Sequence, residues 1–511
     1  MKLLKSRRYL KKINSSNVYD VAISTPLFPA IHLSKALGNN VLLKREDLQP
    51  VFSFKLRGAY NKISLLKDNQ KIERVVTASA GNHAQGVAFA SKKLGIKATI
   101  VMPVTTPNIK IRAVKNLGSK VVLKGDNFDE AYAYAIKLSE KPNIAFVHPY
   151  DDPDVIAGQG TIGKEILDEH PDKLEAIFVP VGGGGLLAGI GAYVKCLRPE
   201  IKMIGVEPED AAGLNAALKA NKRVSLKEVG LFVDGVAVKQ VGELTFPLIK
   251  EWVSEVVTVT VDEICAAVED IFQETRTISE PAGALSLAGL KKLTKSKGWK
   301  GKNLIAINSG ANLNFDRLSH IVERVQLGEK KEVLLSVRIP EEKGSFRKFC
   351  KDLGKRMITE FNYRIDDEEG AHIFVACRVN DGISEKSKLI KDLKKKGYLT
   401  KDLSNNEMAK LHVKHMVGGR APEDIISYGE QIFRVEFPER PGALMEFLNS
   451  LGDKWNITLF HYRNQGSAFG RVLVGFQANS REKIKLLKNM SKTKLPFWDE
   501  SNNSAYSSFL Q

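Results

Sequence analysis

Cysteine is scarce in this chain. The 511 residues include only four, which are Cys196, Cys265, Cys350 and Cys377. They stand far apart and no two form a Cys-x-x-Cys pair, which argues against a disulfide framework and against a cysteine-based zinc site. His412 and His415 lie three residues apart with no third ligand evident nearby, so we interpret them as structural and predict no metal site. Four scattered cysteines fit a reducing compartment, and we expect a cytoplasmic protein.

Long apolar segments are missing as well. The stretch from Ala176 to Val194 has no charge, but four consecutive glycines and Pro180 interrupt it, so it is a poor membrane helix. The first residues, Met1 to Lys12, include six basic side chains and no apolar core, which excludes a secretory signal. We therefore expect no membrane partner.

Acidic residues are outnumbered by basic ones, 59 against 77, which gives a formal net charge of +18. The excess lies in separate lysine clusters at Lys291–Lys302, Lys386–Lys396 and Lys483–Lys494, as is typical of solvated helix faces. A nucleic-acid-binding protein would have a single basic stripe or a known motif, so we expect no nucleic acid partner. With 43% apolar and 27% charged residues the chain is globular, and its length allows about three domains.

From about Val41 to Asn312, short β-branched runs alternate with helical patterns. The predicted strands are Arg74 to Thr77, Lys97 to Met102, Lys120 to Leu123, Ile177 to Val181, Met203 to Val206 and Leu304 to Ile307. This alternation indicates the α/β class with a largely parallel sheet, and the strands are apolar throughout because both faces are covered. Ligands of such sheets bind where loops leave the carboxyl ends of the strands.

The carboxyl-terminal third contains an internal repeat. The segment from Val337 to Arg364 and the segment from Val435 to Arg463 share a strand, a Pro/Gly turn, an amphipathic helix and a second strand. The repeat predicts two related α+β modules in a pseudo-symmetric pair, which could form an oligomer interface or bind an effector at a shared edge. The predicted boundaries are an α/β unit 1–320, a charged linker 321–332, modules 333–406 and 431–502, and a connector 407–430.

The α/β part has one lysine in an unusual setting. Lys55 lies between Phe54 and a glycine turn in the run Ser53 to Ala59, just upstream of Ser79-Ala80-Gly81-Asn82-His83. A lysine amine forms imines with carbonyl compounds once burial or a neighbouring cation lowers its pKa. Lys55 is therefore a candidate nucleophile, although a lysine in such a loop is more often a solvated side chain.

A glycine-rich turn follows one of the predicted strands. Gly182-Gly183-Gly184-Gly185 joins the strand Ile177 to Val181 to an apolar helix start at Leu186. Glycines allow backbone N–H groups to converge on an anion, and the helix dipole favours its charge, so a phosphate is the expected occupant. A flexible hairpin loop is the alternative. The turn lacks the Lys-Ser/Thr pair of a nucleotide P-loop.

Two polar residues follow other predicted strands. Asn82 comes after the strand ending at Thr77, where its amide could bond to a ligand ring oxygen or cap a helix. Ser309 follows the strand Leu304 to Ile307, and its hydroxyl could meet a pyridine nitrogen. A neutral hydroxyl leaves such a nitrogen largely unprotonated, which suits elimination more than transamination.

These motifs together resemble the fold-type II pyridoxal phosphate enzymes, and among them the biosynthetic threonine deaminase (threonine ammonia-lyase) family, over essentially the whole chain. The matching segments are Ser53 to Ala59, the Ser-Ala-Gly-Asn-His block, the tetraglycine loop, Ser279 to Ala284, Ser309 to Asn312 and the doubled repeat. The resemblance implies a catalytic domain of two parallel-sheet subdomains followed by two ACT-like regulatory modules.

The resemblance also implies roles for individual residues. Lys55 would carry pyridoxal 5'-phosphate covalently, Gly182 to Leu186 would hold its phosphate, Asn82 its ring hydroxyl and Ser309 its ring nitrogen. The residues expected near the ring or the substrate are Ser79, Ala80, Gly81, His83 and Glu280. The aromatic residues at equivalent repeat positions, which could line an effector pocket or belong to the core, are Phe361, Tyr363, Phe460 and Tyr462.

The implied activity is deamination of L-threonine to 2-oxobutanoate and ammonia, with some activity on L-serine. Isoleucine would inhibit, valine would oppose it, and the chain would form a tetramer. Serine racemases of this fold have a second serine where this chain has Ala80, and Ala212 and Gly213 supply no acidic ligand beyond Glu207 for a divalent metal. The alternatives are a serine/threonine dehydratase or racemase, and an amino-acid sensor with a vestigial catalytic half.

Overall fold

The computed structural model describes residues 2–69, 72–104, 106–125, 128–170, 172–230, 232–328, 331–340, 342, 344–364, 371–380, 382–406, 423–438, 442–452, 454–463, 469–493 and 495–502. The chain forms two compact units, Met1–Gly328 and Glu329–Gln511. His412, His415 and most of the predicted connector lie outside the described residues. In the described part of the chain, no helix combines the length and the apolar character that crossing a membrane requires.

The first unit contains two sheets. Its strands are β1 Leu27–Pro29, β2 Asn40–Arg45, β3 Arg74–Ala78, β4 Lys97–Met102, β5 Lys120–Leu123, β6 Ile144–Phe146, β7 Ala176–Pro180, β8 Lys202–Pro208, β9 Val253–Val259 and β10 Asn303–Asn308. One sheet has the order β1-β2-β10-β7-β8-β9, and the other has the order β5-β4-β3-β6. All neighbours pair in parallel except β1, which is antiparallel to β2. The prediction of a largely parallel α/β unit is confirmed.

Helices cover both faces of these sheets. They are α1 Lys2–Asn14, α2 Ile31–Leu37, α3 Lys55–Asn69, α4 Asn82–Leu94, α5 Asn108–Asn116, α6 Phe128–Ser139, α7 Pro153–Glu169, α8 Gly185–Leu197, α9 Gly213–Ala220, α10 Thr245–Trp252, α11 Val261–Thr275, α12 Pro281–Lys297 and α13 Leu318–Gly328. Alternate residues of β7 belong to different apolar clusters, because Ile177 and Val179 pack on one face while Ala176 and Phe178 pack on the other. Burial on both faces explains why this strand is apolar throughout.

The predicted strands agree with the structure at β4 and β5 and differ by one or two residues at their ends elsewhere. The charged helical segment after Asn312, predicted to be a linker, is the helix α13. Ile321 and Val325 on α13 are buried in an apolar cluster of the first unit, so residues 321–328 belong to that unit.

The second unit contains one antiparallel sheet, of order β14-β11-β13-β12-β16-β17-β15-β18. Its strands are β11 Glu332–Ile339, β12 Ile358–Arg364, β13 Ala371–Arg378, β14 Leu399–Asp402, β15 Glu430–Pro438, β16 Ile457–Arg463, β17 Phe469–Gln477 and β18 Phe497–Asp499. Its helices are α14 Ser345–Leu353, α15 Gly382–Lys395, α16 Glu423–Tyr428, α17 Ala443–Leu451 and α18 Ser480–Lys492.

The two copies of the repeat meet at the centre of this sheet. Strand β12 pairs with β16 so that Phe361 faces Tyr462 and Tyr363 faces Phe460. In the repeat, Phe361 is equivalent to Phe460 and Tyr363 to Tyr462, so each residue pairs with the equivalent of the other. This is the register of a local two-fold axis at the seam, by which we mean the β12–β16 pair. Gly344 and Gly442 precede the equivalent helices with the same backbone angles, φ 90° and ψ −9°, a left-handed conformation that favours glycine. The predicted pseudo-symmetric pair is therefore present.

Candidate active site

The candidate nucleophile Lys55 is the first residue of α3. Its amine donates a hydrogen bond to the carbonyl of Pro149 at 2.9 Å and lies 5.2 Å from the centre of the Phe54 ring. Burial lowers the pKa of the Lys55 amine to about 8, against the opposing charge of Glu280. An amine with this pKa has a useful unprotonated fraction near neutral pH, which is the form that attacks carbonyl carbon.

The tetraglycine loop connects β7 to α8 and fits closely around Tyr150. A Cβ atom on Gly183 would lie 2.3 Å from the Tyr150 ring, and one on Gly185 would lie 2.9 Å from the Tyr150 carbonyl oxygen. Gly184 has φ 92° and precedes the first helical residue, so α8 begins without a capping side chain. Such a start leaves backbone N–H groups for an anion at the positive end of the helix dipole.

Asn82 connects three of the sequence motifs. Its Nδ2 donates to Glu280 Oε1 at 2.6 Å, and its Oδ1 accepts from Asn312 Nδ2 at 2.7 Å. Asn82 is the first residue of α4, and the preceding Gly81 occupies the capping position. The side chain of Asn82 therefore faces Glu280 and Asn312 instead of capping its own helix. Ser79 and Ala80, partly buried, lie between β3 and this helix start.

His83 is buried directly behind the motif. Its Nε2 lies 3.0 Å from the carbonyl of Val147, so Nε2 carries the hydrogen in the tautomer that makes this bond. Among the residues that the structure describes, Nδ1 has no hydrogen-bond partner. Burial lowers the pKa of His83 to about 3, and the charge of Lys55 acts in the same direction. His83 is therefore a neutral neighbour of the Lys55 amine.

Glu280 immediately precedes α12 and its carboxyl group is buried. Burial raises the pKa of Glu280 to about 7, with a further contribution from Asp234, while Asn82 and Lys55 oppose the shift. A Cβ atom on Gly310 would lie 2.5 Å from Glu280 Oε1, so the carboxyl group covers the Gly310 backbone. The neighbouring Ser309 is buried after β10, and its hydroxyl donates to the Ala282 carbonyl at 3.2 Å.

The structure thus places the block Ser79–His83, the tetraglycine loop and Ser309 at the carboxyl ends of β3, β7 and β10. Lys55 and Glu280 lie at the starts of α3 and α12. Residues that the sequence analysis did not single out lie among them, notably Tyr150 and Asp151. Both follow β6, which is Ile144–Phe146. A strand of three residues is too short to be predicted from its sequence pattern, so the loop after it was not recognised as part of the site. In the described segments, no group of three or more His, Cys, Asp or Glu side chains is placed so that it could bind a metal ion.

Two family models match the chain. Residues 18–310 match the model described as pyridoxal-phosphate dependent enzyme. Residues 323–413 and 424–510 match the model described as the C-terminal regulatory domain of threonine dehydratase. This chain belongs to the pyridoxal-phosphate-dependent threonine dehydratase family. The predictions of the family, the fold class and the cofactor are confirmed.

Relatives of this family match over nearly the whole chain. The biosynthetic L-threonine dehydratase IlvA of Burkholderia multivorans is 51% identical over 99% of both chains, and that of Escherichia coli is 50% identical over 98% of this chain and 97% of its own. The solved threonine deaminase isoform 2 of Solanum lycopersicum is 49% identical over 63% of this chain and 93% of its own, with a TM-score of 0.61. The maize serine racemase is 29% identical over 61% and 96%, with a TM-score of 0.58.

The residues at the candidate site fit the cofactor of the family. Lys55 offers a partly buried amine of lowered pKa for the aldehyde, and the loop Gly182–Leu186 offers backbone donors at a helix start for the phosphate. The glycines of that loop are required by the space, because a Cβ at Gly183 would overlap Tyr150. Amide and hydroxyl groups from Asn82 and Ser309 complete a donor set suited to a pyridine ring.

The lowered pKa of Lys55 predicts how the enzyme without cofactor captures pyridoxal phosphate. Only the unprotonated amine attacks the aldehyde, so the capture rate should rise with pH and level off above about pH 8. An exposed lysine, whose pKa is about 10.4, would still gain rate well beyond that pH. Stopped-flow absorbance of the bound cofactor across this pH range measures the midpoint, and a midpoint near 10 would contradict the burial of Lys55.

Proposed function

We propose that this protein deaminates L-threonine to 2-oxobutanoate and ammonia, the first committed step of isoleucine biosynthesis. The observation that carries the proposal is the amine of Lys55, which is held at 2.9 Å from the carbonyl of Pro149, the residue before the Tyr150 that packs against the tetraglycine loop. Further support comes from relatives named biosynthetic threonine dehydratase that are about half identical over nearly the full length. We also expect some activity on L-serine.

In this proposal each motif has one role toward the cofactor. Lys55 binds the aldehyde carbon covalently, and the backbone of Gly182–Leu186 binds the phosphate. Asn82 binds the ring hydroxyl, with Glu280 and Asn312 fixing the orientation of its amide through bonds of 2.6 and 2.7 Å. Ser309 would bind the ring nitrogen. His83 and the segment Ser79–Gly81 would lie next to the ring and the substrate.

Lys55 also serves as the acid and base of the reaction. When bound, pyridoxal phosphate withdraws electrons from the amino-bearing carbon of the substrate. The free amine of Lys55 would remove the proton from that carbon, and a pKa of about 8 leaves part of the amine unprotonated for this task. The β-hydroxyl leaves as water only if it receives a proton, and the ammonium form of Lys55 is a suitable donor.

Ala80 favours elimination over racemisation. Racemisation requires an acid on the face of the substrate opposite to Lys55, and the methyl group of Ala80 cannot donate a proton. A serine/threonine racemase is therefore the weaker candidate, although solved serine racemases share the fold. Chiral analysis of L-serine after incubation with the protein distinguishes the two, because a racemase would produce D-serine.

The test of the function is 2-oxobutanoate formation by the purified protein. L-Threonine is supplied with and without isoleucine and valine while the visible absorbance of the bound cofactor is recorded. Turnover that isoleucine suppresses and valine restores is the expected result. An absorbance band of the bound cofactor without turnover of L-threonine would mean that the protein acts on a different substrate. The absence of the band would favour an amino-acid sensor without catalytic activity.

The effector is proposed to bind between the two regulatory modules. A cavity there is lined by one acidic side chain, one basic side chain and several apolar ones, which is the combination of groups that recognises a branched-chain amino acid. Module 1 supplies Glu342, Gly344, Phe346, Arg347 and Tyr363, and module 2 supplies Leu448, Leu451, Gly452, Trp455, Asn456, Ile457 and Phe476. Glu342 would bind the ammonium group, Arg347 the carboxylate, and the leucines the side chain.

The four repeat aromatics contribute unequally to this cavity. Tyr363 lines it, whereas Phe361 and Phe460 are fully buried with ring centres 5.7 Å apart, and both lie about 5.2 Å from the ring of Phe346. Tyr462 is buried in the same core cluster. We therefore propose Tyr363 as an effector contact and the other three as the support of the seam.

The regulatory proposal predicts the effect of removing the Arg347 side chain. In Arg347→Ala the isoleucine concentration that halves the activity should rise about tenfold or more, because a charged hydrogen bond contributes about 1.5–3 kcal/mol. Turnover without isoleucine should be unchanged. Inhibition curves of Arg347→Ala and of the control Lys348→Ala, whose side chain next along α14 is exposed, provide the comparison. Equal inhibition of both variants would contradict the site.

We further propose that the protein is a cytoplasmic tetramer. The support consists of the scarcity of cysteine, the membership of a biosynthetic enzyme family and the duplicated module, which can also form subunit contacts. Sedimentation of the purified protein with and without isoleucine measures the oligomeric state.

A further inference from the structure

The loop after β6 contacts both halves of the candidate cofactor site. Pro149 accepts the hydrogen bond of the Lys55 amine, and the next residue, Tyr150, places its ring against Gly183 of the tetraglycine loop. His148 shapes this loop, because its Nδ1 accepts from the backbone N–H groups of Tyr150 at 3.2 Å and Asp151 at 2.8 Å. The carboxylate of Asp151 then lies at the start of α10.

The carboxylate of Asp151 binds the backbone at that helix start. Its Oδ2 accepts from the N–H of Glu243 at 2.8 Å, and its Oδ1 accepts from Leu244 at 2.9 Å and Thr245 at 3.2 Å. A Cβ atom on Gly242 would lie 2.2 Å from Oδ1, so the contact is close and depends on glycine. A negative charge is favourable here because N–H groups and the helix dipole converge on it.

The segment that Asp151 binds is in turn hydrogen-bonded to the tetraglycine loop. The buried hydroxyl of Thr245 donates to the carbonyl of Gly183 at 2.7 Å, and the N–H of Gly242 donates to the same carbonyl at 3.1 Å. The peptide between Gly183 and Gly184 is planar and trans, so its N–H points opposite to the carbonyl. Fixing the carbonyl toward Thr245 therefore fixes the direction of one donor of the loop.

We propose that Asp151 and Thr245 are positioning residues for the cofactor phosphate, acting through the Gly183–Gly184 peptide. The inference rests on the proposed assignment of the tetraglycine loop to the phosphate. Asp151 holds residues 243–245, Thr245 transmits that position to Gly183, and neither side chain needs to contact the cofactor. Removing either side chain should weaken binding of the phosphate group and leave binding of the pyridine ring and the aldehyde unchanged.

The experiment compares pyridoxal 5'-phosphate with pyridoxal, which lacks the phosphate, as ligands of the full-length protein without cofactor. In Thr245→Val the dissociation constant for pyridoxal 5'-phosphate should rise about tenfold, as expected for one lost buried hydrogen bond. The dissociation constant for pyridoxal should stay the same. Thr245→Ser keeps the hydroxyl and should restore the affinity, and Asp151→Asn should behave like Thr245→Val.

The neighbouring Asp152 provides a matched control. Its carboxylate accepts from the N–H groups of Asp154 and Val155 and caps α7, a role that the amide oxygen of asparagine keeps, so Asp152→Asn should leave the affinity for both ligands unchanged. Equal losses for both ligands in Thr245→Val, or full affinity in Thr245→Val and Asp151→Asn, would overturn the positioning role. A wild-type protein that does not prefer the phosphorylated ligand would instead overturn the assignment of the loop.

Discussion

Replacing Lys55 by alanine is expected to lower threonine turnover by more than about 10³-fold, the loss of acid–base catalysis alone being about 10²–10⁴-fold. The amine is the group at the site that can both attach the cofactor and move the substrate proton, and its pKa of about 8 suits both tasks. The visible absorbance of the bound cofactor should shift in the variant, because the covalent link to the protein is lost. Steady-state 2-oxobutanoate assays and absorbance spectra on the same sample measure both effects.

The matched control is Lys67→Ala in the last turn of the same helix. Lys67 is exposed and its amine donates to the Leu94 carbonyl at 2.9 Å, far along α3 from the site. This variant should keep turnover and absorbance. Addition of a small primary amine should restore part of the activity of Lys55→Ala, since it supplies the missing base. Unchanged turnover in Lys55→Ala would contradict the proposed mechanism.

The sequence alone predicts the candidate residues whose role depends on local chemistry. Lys55, the tetraglycine loop, Asn82 and Ser309 each follow a strand or begin a helix, and a parallel sheet places such residues at one edge. The contacts between them depend on packing, which no local pattern contains. The bond between Asn82 and Glu280, for instance, joins residues 198 positions apart.

The same distinction applies to the regulatory unit. The repeat predicts two equivalent modules, and the structure pairs β12 with β16 in the register of a two-fold axis. Which aromatic residues line a cavity depends on how α14 and α17 sit above the sheet, so Tyr363 and its repeat equivalent Tyr462 cannot be distinguished by sequence. Only the packed structure places Tyr363, and not Tyr462, at the cavity between Gly344 and Trp455.

A buried ion cluster fixes the helix that carries Lys55. The guanidinium group of Arg57, two residues further along α3, is fully buried and bonds to Glu46 at 2.8 Å and to Glu165 at 2.6 Å. Lys44 lies 2.8 Å from the same Glu165 carboxylate and is also fully buried. The cluster therefore contains two cations, from β2 and α3, and two buried carboxylates, from the turn after β2 and from α7. Burial lowers the pKa of Arg57, but both glutamates outweigh it and raise the pKa beyond its ordinary value.

Replacing Arg57 by methionine is expected to lower the free energy of unfolding of the first unit by about 3–5 kcal/mol, the usual result of leaving buried charges without a partner. The side chain of methionine fills a similar volume but leaves Glu165 with Lys44 and leaves Glu46 with the uncharged donors Thr25 and Gln49. Arg57 holds the pKa of Glu165 below its ordinary value, against the effect of burial. The stability contributed by Glu165 is therefore present above its ordinary pKa and lost as the pH falls through the lowered value. Urea unfolding at several pH values, followed by tryptophan fluorescence, measures both effects.

Lys62→Met provides the matched control on the same helix. Lys62 also pairs with two carboxylates, Asp152 at 2.8 Å and Asp154 at 3.2 Å, but all three side chains are partly exposed. Water can solvate these charges after the substitution, so the loss should be at most about 1 kcal/mol. Because Arg57 anchors the first turn of α3, its variant should also capture pyridoxal phosphate more slowly, whereas Lys62→Met should not. Equal stabilities of the two variants would mean that the cluster around Arg57 is solvated in the folded protein and does not fix the position of Lys55.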